Sequence, residues 1–289
     1  MIDRHGNERA LRRAVVLTTV YLVAEVVGGV LTGSLALLAD AGHMFTDVGG
    51  LVLALLAIRL TRRAPTPEHS FGYYRAEVLA AAINAVVLFG ISGVVLIEAY
   101  RRFSAPPEVQ SLPMLAIAVV GLAVNGITLF ALHGQHEGLN VKGAYFEVLS
   151  DLITSVGVIV GAGVIAVTGW NVLDPIISAG IGLFIVPRTW LLLSDAVSVL
   201  LEGTPKDVDV QALRGGLQAI AGVADVHDLH VWSLTSGVNA LSVHVAIADA
   251  DAGLRILREV QDTARERFAI EHATVQIEPP GFVCGEPHV

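Results

Sequence analysis

Six stretches of this chain are too long and too apolar for a soluble domain. They run at about 12–31, 35–60, 76–100, 112–132, 143–167 and 172–193, and an α-helix needs roughly 20 mainly apolar residues to cross a bilayer. No water reaches the hydrocarbon region to satisfy backbone N–H and C=O groups, so such segments must close their hydrogen bonds internally, as helices. The composition agrees: 16% of the residues are charged and 54% hydrophobic, against about 25% charged in an ordinary soluble domain. Arg12 and Arg13 precede the first stretch in the manner of a signal peptide. Its apolar core is long, however, and five more follow, so it reads as a span.

Basic residues give an orientation. Arg4, Arg9, Arg12 and Arg13 precede the first span, Arg62, Arg63 and Arg75 lie between the second and third, and Lys142 follows the fourth. The turns at 32–34 and 168–170 carry none, although Arg101 and Arg102 break the pattern. The positive-inside rule then places both termini in the cytoplasm. The net charge of -9 argues against a nucleic-acid partner. Cys284 is the only cysteine, which excludes an intrachain disulfide.

Past residue 200 the pattern changes. Glu202-Gly203-Thr204-Pro205 ends a helix and opens a new unit. Asp207–Ile220 reads as an amphipathic helix, Val226–Leu234 and Ala240–Ile247 as strands joined at Ser236-Gly237, Leu254–Phe268 as a helix and Ala273–Ile277 as a strand. The expected architecture is an all-α six-helix transmembrane bundle over 1–202, followed by a cytoplasmic α+β domain of ferredoxin-like order over 203–289. A core that small is marginal alone, so pairing into a homodimer would support it.

The functional signal lies inside the spans. His43 and Asp47 sit four apart in the second, and Glu147 and Asp151 four apart in the fifth, so each pair occupies one helix face. An ionisable residue at that depth costs at least about 3 kcal/mol, a cost that lipid contact never offsets. Together the four could complete a tetrahedral shell around Zn²⁺ or a similar divalent ion. A single intramembrane acid is commonly a helix–helix hydrogen-bonding group, and Asp40, Asn84 and Asn125 are read mainly that way, with a role in the transport pathway as the alternative; Glu25 is similar and could line the same water-filled cavity. In the soluble part, His227, His230, His244, His272 and Glu278 offer imidazole and carboxylate near one sheet. Cys284 and His288 have a ligand-like spacing, and His133 and His136 could load metal at the membrane surface.

Four stretches, Ala39–Asp47, His69–Arg75, Leu200–Pro205 and Val226–Leu234, resemble the cation diffusion facilitator family of divalent-metal exporters. The resemblance implies six spans, cytoplasmic termini, a homodimer, and a transport site at His43, Asp47, Glu147 and Asp151. It further implies cytoplasmic ligands at His227, His244, His272 and Glu278, a short metal-binding tail, and an ion pair between Arg75 and Glu202. One departure matters: zinc-selective members carry histidine where this chain has Glu147, which leaves one nitrogen and three carboxylates and a harder shell. The expected activity is export of Zn²⁺, with Cd²⁺, Co²⁺ or Mn²⁺ as the other cargoes, in exchange for protons across a prokaryotic cell (inner) membrane. An intramembrane metalloenzyme and a membrane metal sensor are the rival readings. The sequence contains neither a His-Glu-x-x-His helix nor a phosphate-binding Gly-x-x-x-x-Gly-Lys loop.

Overall fold

The computed structural model describes residues 4–61, 63–132 and 139–282. Long helices occupy every expected span: α1 Arg4–Thr32, α2 Leu35–Thr61, α3 Arg75–Ser104, α4 Ser111–Leu132, α5 Leu139–Thr168 and α6 Leu173–Leu200. Among the described residues, α3, α6, Ser111–Phe130 of α4 and Leu149–Thr168 of α5 have the length and apolarity to cross a membrane, and Thr18–Thr32 of α1 is a shorter apolar stretch. The chain divides into two compact units, Met1–Ala54 with Ile83–Leu193, and Leu55–Ala82 with Ser194–Val289.

In the first unit, Leu37 of α2, Leu88 of α3, Met114 of α4, Val158 of α5 and Ile181 of α6 are buried in one cluster. Their outward neighbours, such as Val94, Val120 and Phe184, stay exposed and apolar, as a lipid-facing surface requires. Close helix approach depends on small residues. A Cβ on Gly121 of α4 would fall 1.9 Å from the Tyr21 hydroxyl oxygen, so glycine there is what admits α1.

The start of α2 is held by a residue from another helix. Asp174, in the first turn of α6 and fully buried, accepts from the Ser34 hydroxyl at 2.7 Å, from Leu35 N at 2.8 Å and from Ala36 N at 3.2 Å. Those amides have no intrahelical partner, and a carboxylate also complements the positive end of the helix dipole. This cap ties the first turns of α2 and α6 together.

In the second unit, α7 (Val210–Gln218) and α8 (Gly253–Phe268) pack with a sheet of β1 (Val223–Thr235), β2 (Val238–Ile247) and β3 (Ile270–Glu278). The sheet order is β1-β2-β3, with β1 antiparallel and β3 parallel to β2. Leu213, Leu217, Val243, Val245, Ile256 and Val260 form its core. The expected element order holds, but the lengths differ. Helix α7 starts three residues late because the Asp209 side chain accepts from Gln211 N and Ala212 N and caps it there. Strand β3 is longer than its apolar stretch because its backbone pairs with β2 from Ile270 to Glu278, whatever the side chains.

Candidate metal centres

Helices α2 and α5 bring His43, Asp47 and Asp151 together inside the first unit. His43 Nε2 lies 3.7 Å from Asp47 Oδ2 and 3.6 Å from Asp151 Oδ1, and the three offer ligand atoms within 4.8 Å of one another. Those separations are long for hydrogen bonds. They suit donors around one ion, since metal–ligand bonds near 2.0–2.1 Å put tetrahedral donors roughly 3.4 Å apart. His43 and Asp151 are buried and Asp47 is partly open. The side chain of Glu147 lies outside the described residues, while its backbone continues α5 one turn before Asp151.

Asn125 and Asp40 bond between helices, as expected, whereas the hydrogen bond of Glu25 stays within its own helix. The Asn125 amide donates to the Ser155 hydroxyl at 3.4 Å, the Thr154 hydroxyl donates to Asp40 Oδ1 at 2.9 Å, and the Tyr21 hydroxyl donates to Glu25 Oε1 within α1.

The second cluster forms where the three strands meet. His227 faces His244 across the antiparallel register, and Glu278 ends β3 beside Ala246. His227 Nε2 is 3.1 Å from Glu278 Oε2, and His244 Nδ1 is 3.0 Å from Glu278 Oε1. Glu278 is only 2% exposed, and each of its carboxylate oxygens faces an imidazole nitrogen. A carboxylate so deep calls for a positive charge close by, and two imidazoles with one carboxylate suit a resident Zn²⁺.

His272, expected with them, stands apart. It lies six residues up β3 from Glu278, about 20 Å at strand spacing, is exposed, and meets the Phe71 ring edge-on. Sequence reasoning passed over Asp228, whose Oδ2 is 3.4 Å from His244 Nε2 and whose Oδ1 is 3.0 Å from His230 Nε2. A shift in the β1–β2 register and a left-handed backbone at Asp228 (φ 49°) turn its side chain to this side, which strict alternation along β1 hides. Each ring nitrogen of His244 thus faces a carboxylate.

Arg75 and Glu202 form the expected ion pair at 2.9 Å, with Glu202 itself left-handed at φ 60°. His69 is exposed and stacks on Tyr73. His133, His136, Cys284 and His288 lie outside the described residues.

The strand cluster makes a specific prediction. In a chain whose bundle site is disabled by Asp47→Ala, one Zn²⁺ should remain bound per chain, and adding His244→Ala should weaken that binding at least tenfold, about 1.4 kcal/mol. Equilibrium dialysis on the full-length protein in detergent measures both. Unchanged affinity in the double variant would leave His227, His244 and Glu278 as a structural hydrogen-bonding group.

Two family models match the chain. The model of the cation efflux transmembrane domain matches residues 11–201, and that of the cation efflux protein cytoplasmic domain matches 205–280. The metal cation efflux system protein CzcD of Cupriavidus metallidurans is 49% identical over 275 residues, spanning 94% of this chain and 87% of its own length. The zinc transporter ZitB of Escherichia coli is 41% identical over 280 residues (96% and 89%), and the cadmium, cobalt and zinc/H(+)-K(+) antiporter of Bacillus subtilis 38% over 279 (94% and 89%). Among solved structures, the metal-bound C-terminal domain of the CzcD transporter from Cupriavidus metallidurans is 37% identical, with a TM-score of 0.23, and covers 25% of this chain and 99% of its own.

A bundle of long apolar helices with a buried His/Asp cluster, followed by a small α+β unit, defines a membrane transporter of cations rather than an enzyme. The chain belongs to the cation efflux family, the cation diffusion facilitators.

Proposed function

We propose that this transporter exports divalent metal, Zn²⁺ foremost, from the cytoplasm in exchange for protons, through a site made of His43, Asp47, Glu147 and Asp151. The observation that carries the reading is the trio of His43, Asp47 and Asp151, with ligand atoms within 4.8 Å of one another on two neighbouring apolar helices. Imidazole and carboxylate must lose their protons to bind metal, so protons and metal compete for the same atoms. Exposing that one site alternately to each side of the membrane converts the competition into antiport. The names of relatives, one a zinc transporter and one a cadmium, cobalt and zinc/H(+)-K(+) antiporter, support both the cargo and the coupling.

On this reading residues 1–202 form the transport domain in a prokaryotic inner membrane. Both termini are cytoplasmic, and residues 203–289 form a soluble domain that binds metal and pairs two chains. Zn²⁺ held by His227, His244 and Glu278 would join all three strands and stabilise the folded domain by about 2.7 kcal/mol at a hundredfold excess over Kd.

The test is a panel of Zn²⁺, Cd²⁺, Co²⁺ and Mn²⁺ fluxes into sealed proteoliposomes with an acidic lumen. Zn²⁺ should move fastest, and collapsing the gradient with a protonophore should slow it at least fivefold. Flux indifferent to the gradient would remove the proton from the reading, and no flux of any metal would remove transport through this site.

A further inference from the structure

The metal site leaves two deeply buried acids unused. Glu25 of α1 is 0% exposed and Asp40 of α2 is 1% exposed. Their carboxyl groups lie within hydrogen-bonding reach of each other. Each is also anchored from its far side, Glu25 Oε1 by the Tyr21 hydroxyl and Asp40 Oδ1 by the Thr154 hydroxyl. The other Glu25 oxygen, Oε2, is buried with no hydrogen-bond partner. Two carboxylate oxygens are both acceptors, so their contact becomes a bond only when a cation sits between them. Out of water, two facing carboxylates without that cation would repel each other with nothing to offset it.

Among the described residues the groups around the pair are few. On α1 there is Tyr21; on α2, His43, whose Nε2 lies 3.7 Å from Asp47 Oδ2 and 3.6 Å from Asp151 Oδ1; on α5, Asp151 itself. Helix α4, which closes over Tyr21 at Gly121, contains no titratable residue. Lys and Arg do not pair with either acid among the described residues. A proton needs no ligands beyond the two carboxyl oxygens it bridges, and it is the cation such a pair suits.

We propose that Glu25 and Asp40 form a second cation site, distinct from the metal ligands, that holds a proton between its carboxyl groups and releases it when metal binds. This rests on the antiport reading above and names residues for its other half. The link to the metal site is short. Asp40 precedes His43 by three residues on one face of α2. Thr154 follows Asp151 by three on α5, and its hydroxyl lies 2.9 Å from both Asp40 Oδ1 and the Asp151 carbonyl oxygen. A divalent ion at His43 and Asp151 therefore sits about one helical turn from the proton, where like charges repel strongly for want of water. Metal arrival expels the proton, leaving the pair anionic beside the cation. Metal departure allows one proton to return.

The test counts protons. Full-length protein in weakly buffered detergent solution is titrated with Zn²⁺ while a pH indicator reports release and dialysis reports bound metal. Glu25→Gln and Asp40→Asn should each release about one proton fewer per chain than wild type, and in vesicles the luminal pH change per Zn²⁺ moved should fall severalfold. Release equal to wild type at equal bound metal overturns the proposal. Loss of membrane-site Zn²⁺ in both variants also overturns it, because the acids would then belong to the metal site itself. Release that depends on K⁺ rather than persisting in Na⁺ would overturn the proton as occupant. Wild-type protein that binds and moves Zn²⁺ without moving protons would instead sink the antiport reading, a different result.

Discussion

Asp47→Ala or Asp151→Ala should abolish metal flux while leaving the protein folded. Each substitution removes an anionic oxygen donor from a site whose donors are already placed, and truncating one partner of a close charge pair costs 2–5 kcal/mol or more. Taking about 4 kcal/mol, affinity falls roughly a thousandfold. Neither side chain belongs to the apolar cluster around Leu37, Met114 and Val158, so the elution profile and melting temperature in detergent should stay close to wild type. Flux assays in proteoliposomes with Zn²⁺, Co²⁺ and Mn²⁺ give the readout. Full flux in either variant would dissolve the bundle site.

The second large effect is expected at Glu147. It precedes Asp151 by one turn of α5, and in the proposed four-residue site it is the third acid with one imidazole. Three oxygen donors and one nitrogen form a hard set, which narrows the usual advantage of Zn²⁺ over Mn²⁺. Glu147→His adds a nitrogen and removes a negative charge, so the ratio of Zn²⁺ to Mn²⁺ flux should rise at least about tenfold, or 1.4 kcal/mol. The dependence on pH should change as well, because a titrating carboxyl is exchanged for an imidazole. Paired measurements in the same vesicles between about pH 6 and 8 decide it. Identical ratios and profiles would mean the site is built without Glu147.

The fold and the bundle site were legible to different depths. Six apolar stretches dictate six helices because hydrocarbon allows the backbone no other partners. The pairs His43/Asp47 and Glu147/Asp151 stand out because charge is costly there, so its presence at helical spacing is itself information. The α+β order followed from a change of periodicity after Pro205, but the strand ends did not, since backbone pairing carries β3 past its apolar residues to Glu278.

What the sequence by itself determined is therefore local: which segments are helices, which faces carry the ionisable pairs, and the hairpin at Ser236-Gly237. Tertiary structure decided which of several histidines share a site. Parallel pairing of β3 with β2 delivers Glu278 to His227 and His244, a partnership that no spacing in the sequence encodes, and the six residues of strand between them keep His272 apart. The left-handed turn at Asp228 brought in a residue that alternation assigns elsewhere. Asp174 capping α2 from α6, and Glu25 meeting Asp40 between α1 and α2, likewise depend on how helices lie side by side. The physical reason is common to all: periodicity records which face of an element a residue occupies, whereas the partner across that face is set by packing between segments far apart in the chain.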